Sequence, residues 1–148
     1  MHSKCRYVQA ILLGGSIAGI IDIGAACLIS MADPIFILHA VASGLLGRES
    51  FSDGNASALL GGVLQLGMSV VIAAIYVAIS AVLPILREHW LAAGLIYGVI
   101  VFGVMNYVVV PLSAVGHFPH FTVLSFVENM LAMLLFGTII ALFAREPR

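Results

Sequence analysis

The sequence predicts an all-α integral membrane protein: a four-helix bundle with a short interfacial or re-entrant helix after the first span. Three observations predict it. The chain of 148 residues is 62% hydrophobic and only 9% charged, against roughly 25% charged residues in a soluble domain. Its mean hydropathy is +1.17. Four apolar runs reach the ~20 residues that a helix needs to cross a bilayer. So few charges cannot cover a water-facing surface, and the lipid bilayer is the expected surrounding. A net charge of −1, with no Lys/Arg cluster, argues against a nucleic-acid partner.

Each element has its own signal. Residues 1–6 are short and basic, with Lys4 and Arg6. The first span is expected at about 7–31, where Asp22 is the single charge. Ala32-Asp33-Pro34 ends it, because proline lacks an amide hydrogen and the residue before it avoids the α region. Residues 34–46 form a shorter run, which as a helix reaches only about 20 Å against a core of about 30 Å. Pro34 in its first turn and Gly47 after its end mark a helix that lies at the interface or dips partway in. A polar turn over 47–55 leads to the second span, at about 56–83. Pro84 to His89 is a short connection containing Arg87 and Glu88. The third span, about 90–110, opens on Trp90, an interface anchor, and Pro111 is expected to stop it. A loop without Lys or Arg carries His117 and His120, and the fourth span follows at about 122–143. Residues 1–148 thus form a single transmembrane domain.

Charge sets the orientation. With four spans, Lys4, Arg6, Arg87, Arg145 and Arg148 share one side of the membrane, and Arg48 alone lies on the other. Basic residues accumulate on the cytoplasmic side of membrane proteins, so both termini are expected there. A five-span reading, with residues 34–46 crossing, would break this bias.

The strongly polar residues of the spans all fall in the outer half. Helix rise puts Asp22 and Gln65 each ~14 Å from the outer ends of their helices, Asn106 ~6 Å, and Glu128 and Asn129 ~9–10 Å. Gly15, Gly19, Asp22 and Ala26 form one seam on the first helix, and Gly61, Gln65, Ser69 and Ala73 a similar one on the second. Hydrocarbon would leave the polar groups unsatisfied. A polar cluster of Asp22, Gln65, Asn106, Glu128 and Asn129 is therefore expected, a candidate ion or substrate site roofed by the short helix and the histidine loop. The seams, above all Gly15-x-x-x-Gly19, also allow a homodimer.

His39, His117 and His120 could together hold a metal on the outer surface. A membrane haem needs histidines within the spans, where none lies, so no cofactor is expected. The glycine-rich segments lack the Gly-Lys-Ser/Thr ending of a phosphate loop. Cys5 and Cys27 sit ~33 Å apart on one helix and cannot pair within it. No nucleophile–base–orienter set stands out, which weighs against an enzyme.

Three stretches carry a resemblance: Ala42-Ser43-Gly44-Leu45-Leu46-Gly47, Gly94-Leu95-Ile96-Tyr97-Gly98, and Met105-Asn106-Tyr107-Val108-Val109-Val110-Pro111-Leu112-Ser113. The chain resembles a group of uncharacterised small bacterial inner-membrane proteins with four predicted spans and a short helix after the first. That resemblance implies the topology and a bacterial inner-membrane location, and no chemistry. Three functional classes stay open: a structural or accessory membrane protein; a small transporter or channel handling a proton or cation at the polar cluster; and a metal-binding protein or enzyme using the outer histidines.

Overall fold

The computed structural model describes residues 2–145, and every regular element among them is helical. Arg148, counted above toward the basic side, lies outside the described residues. Four helices are long and apolar enough to cross a membrane: α1 (Ser3–Ser30), α3 (Asn55–Val82), α4 (Trp90–Leu112) and α5 (Val123–Ala144). Between the first two lies α2 (Pro34–Leu46), with the boundaries that Pro34 and Gly47 predict. This is the build of a multi-pass membrane protein.

Two elements differ from expectation. α1 starts at Ser3 rather than Tyr7. At 1.5 Å per residue its 28 residues reach about 42 Å, so its basic first turns continue as helix beyond a core of about 30 Å. α4 does not stop at Pro111 but runs to Leu112. A single π turn, Met105–Val109, precedes the proline. Pro111 then sits at the start of a fresh turn, where its missing amide hydrogen leaves no bond unmade. A second π turn, Ala10–Gly14, lies in α1.

Around the bundle the helices run α4, α5, α1, α3. α4 and α5 approach most closely, through Gly98 and Gly137. A Cβ built on Gly98 would lie 2.5 Å from the Met133 carbonyl oxygen and 2.9 Å from the Leu134 Cα. Lipid tails give no hydrophobic drive to helix association, so backbone proximity of this kind supplies the packing. α3 and α4 meet through side chains. The Tyr76 and Tyr97 rings have centroids 5.0 Å apart, and the Tyr97 hydroxyl donates to the Ile72 carbonyl at 2.8 Å. Tyr76 joins Ala18, Ala73, Val101, Phe136, Ile140 and Ala141 in the core. Large aliphatic side chains point outward instead, with Leu28 and Val82 each 78% exposed and Leu59 72%. An apolar exterior of this extent fits lipid and not water.

α2 folds back onto the start of α3, where the Leu38 backbone lies against Gly61. Its Gly44 carbonyl accepts a 2.8 Å bond from the Ala114 amide, beyond α4. It therefore ties together the ends of α3 and α4. Ser57 is the knot. Its buried hydroxyl donates to the Ser50 carbonyl and meets His39 Nδ1 at 2.7 Å. A hydroxyl has one proton, so with that proton on Ser50 the His39 Nδ1–H is the donor to Ser57. Ser57→Ala strands both partners and is expected to cost about 1–3 kcal/mol. Thermal unfolding in detergent measures this, and faster hydrogen exchange over residues 47–57 accompanies it. An unchanged melting temperature and exchange rate would refute the knot.

Candidate functional site

The two seams meet as their spacing requires. On α1, Gly15 lies against Val70, whose Cα is 2.8 Å from where a Gly15 Cβ would stand, and Gly19 lies against the Ser69 side chain. One helical turn further on, Asp22 faces Gln65. The Gln65 amide Nε2 donates to the Asp22 carboxylate Oδ2 at 2.8 Å, linking positions 43 residues apart. The Ser69 hydroxyl donates to the Gln65 carbonyl at 2.8 Å, within its own helix. Asp22 is half-buried.

The remaining three members of the expected cluster do not join this pair. Asn106 Nδ2 donates to the Phe102 carbonyl at 2.9 Å, and Asn129 Nδ2 to the Ser125 carbonyl at 2.7 Å. Each asparagine thus satisfies itself four residues back on its own helix, a contact always within reach of a short side chain. Glu128 is half-buried and, among the described residues, bonds to neither Asp22 nor Gln65. The five-residue cluster contracts to one interhelical pair. Among the described residues no buried side-chain nitrogen or oxygen lacks a hydrogen-bond partner.

The seam glycines pack within the chain. Gly15 and Gly19 are buried against α3 of the same chain.

The three histidines separate. The His117 and His120 rings have centroids 6.3 Å apart, and His117 Nδ1 contacts the Phe118 carbonyl at 3.1 Å. His39 is held at α3 by Ser57 and lies beside the Phe51 ring, 6.1 Å between centroids. Among the described residues no three His, Cys, Asp or Glu side chains gather as a metal would need. The three histidines thus do not gather into one site in this fold.

A feature that the polar-residue search missed lies at the opposite end. Arg6, Tyr7, Arg87, Phe143 and Arg145 line a cleft of about 90 Å³. Arg87 is anchored by its Nε to the Ser80 carbonyl at 2.8 Å and reaches the Ala81 carbonyl at 3.4 Å. The Arg145 guanidinium stacks over Trp90, 5.0 Å from the ring centroid. In the sequence the three arginines are legible only as charges that set orientation. Their signal was the gathering of basic residues on one side of a four-span topology.

Fold and polar placement together define an all-helical, multi-pass membrane protein with, among the described residues, an interhelical carboxylate–amide pair. No protein family, curated protein or solved structure matches the chain.

Proposed function

We propose that the protein is a small structural or accessory protein of a bacterial inner membrane, with both termini on the cytoplasmic side. The observation that carries this reading is the Asp22–Gln65 bond. It gives the bilayer-embedded carboxylate a partner on the neighbouring helix, and the outer-half asparagines are satisfied within their own helices. Polar groups arranged in this way hold a bundle together. The gathering of Arg6, Arg87 and Arg145 around one cleft supports the orientation through the positive-inside rule.

Reconstitution tests the reading against proton or cation transport at Asp22. Wild-type protein in liposomes is expected to move neither protons nor monovalent cations above the level of empty vesicles. Asp22→Ala and Gln65→Ala are each expected to lower stability by about 1 kcal/mol. The double variant should be less destabilised than the sum, since interhelical hydrogen bonds in membranes average about 0.6 kcal/mol and reach about 1.7. Flux in the wild type that Asp22→Asn abolishes would establish transport instead. Strict additivity of the two alanine substitutions would remove the pair as glue.

A further inference from the structure

We infer that the cleft at the basic end binds the phosphate group of an anionic phospholipid. Three arginines line it, Arg6 from α1, Arg87 from the connection after α3 and Arg145 from the residue after α5. Planar guanidinium groups donate paired hydrogen bonds that match phosphate oxygens. Two of the three are held in place beforehand, Arg87 by main-chain carbonyls and Arg145 by the Trp90 ring. A ligand therefore meets charges whose positions are already ordered, which lowers the entropy cost of binding. Tyr7 also lines the cleft.

The cleft's other wall selects the kind of phosphate. Ala10 and Phe143 line it, so a cationic rim adjoins an apolar surface. An inorganic ion has no use for that surface, whereas the glycerol and first acyl carbons of a phospholipid do. Depth agrees. α1 exceeds the hydrocarbon core by roughly 12 Å at 1.5 Å per residue, which sets its first two turns at headgroup level. Basic pockets between membrane helices on the cytoplasmic side suit anionic headgroups.

The protein carries one tryptophan, and it is Trp90, under Arg145. Its fluorescence therefore reports on the cleft. The test places the full chain in phosphatidylcholine nanodiscs and titrates phosphatidylglycerol in one arm and inorganic phosphate in the other. Phosphatidylglycerol is expected to change Trp90 emission saturably, and phosphate to leave it unchanged. Arg6 makes no hydrogen bond among the described residues, and Arg6→Gln is expected to weaken the lipid response about tenfold, the contribution of a hydrogen bond to a charged group. Lys4→Gln removes the same charge from outside the cleft and should leave the midpoint in place. Helicity in pure phosphatidylcholine confirms that each variant folds. Arg145→Gln, which disturbs the fluorophore, is read instead by native mass spectrometry as loss of retained phosphatidylglycerol. A response that never saturates, equal weakening by Lys4→Gln, or retention unaffected by Arg145→Gln would overturn the site. Equal saturation by inorganic phosphate would overturn its assignment to lipid.

Discussion

Gly98→Leu is expected to destabilise the protein by about 3 kcal/mol or more, since overpacking of a tight contact costs 1–3 kcal/mol even for smaller insertions. The atoms that a new side chain would meet belong to backbone: the Met133 carbonyl oxygen at 2.5 Å and the Leu134 Cα at 2.9 Å. No rotamer change relieves such a clash, so α4 and α5 must move apart. Their separation exposes no water-hating surface, because lipid is already the solvent. What is lost is the dispersion contact of two backbones at close range. Gly98→Ala should show a smaller loss in the same direction. Gly24, around which a new Cβ meets nothing within 4 Å, provides the control, and Gly24→Leu is expected to stay within about 0.5 kcal/mol of wild type. Thermal unfolding followed by circular dichroism in one detergent ranks all three. A Gly98→Leu variant as stable as Gly24→Leu would mean that α4 and α5 do not pack through their backbones.

Tyr76→Ala carries the second large effect, about 3–5 kcal/mol by analogy with other aromatic-to-alanine truncations in cores. The side chain is 1% exposed and fills the space between α3 and α4 against Tyr97, at 5.0 Å. Removing it leaves a void lined by Ala73, Val101 and Ile140 side chains of the same core. Tyr76→Phe separates packing from polarity. Its hydroxyl reaches the Leu86 carbonyl only at 3.5 Å, so the loss should be under about 1 kcal/mol. A Phe variant as damaged as the Ala variant would assign the stability to the hydroxyl instead.

The parts of the fold that depend on length and chain-breaking residues are readable in the sequence. The four spans follow from apolar runs, and α2 begins and ends where Pro34 and Gly47 place it. Depth counting from helix ends puts Asp22 level with Gln65, and the seams of small residues set both on facing sides, which is how they meet. The parts that depend on a choice between equivalent partners are not readable. An asparagine in a membrane helix can bond across to a neighbour or back to its own carbonyl, and Asn106 and Asn129 do the second. Gly15 and Gly19 could receive a helix of a second copy or of the same chain, and they receive α3. His39 has the chemistry of a metal ligand, but Ser57, eighteen residues on, is the nearer partner. Pro111 reads as a stop only while the backbone before it is regular, and the π turn removes that condition. The basic cleft needs three separate segments to converge, which hydropathy alone does not encode.

The Asp22–Gln65 bond has a consequence for how the chain enters the membrane during synthesis. An aspartate near the centre of a helix raises the cost of insertion by roughly 2.5–3.5 kcal/mol, and the partner that relieves it lies 43 residues later. α1 therefore emerges from the ribosome before Gln65 does. It must either wait beside the insertion machinery or sit in the bilayer with its carboxylate unrelieved until α3 arrives. The first span thus gains its polar partner only when the second arrives. Its settled state is reached as a pair, when the acid of α1 meets the amide of α3.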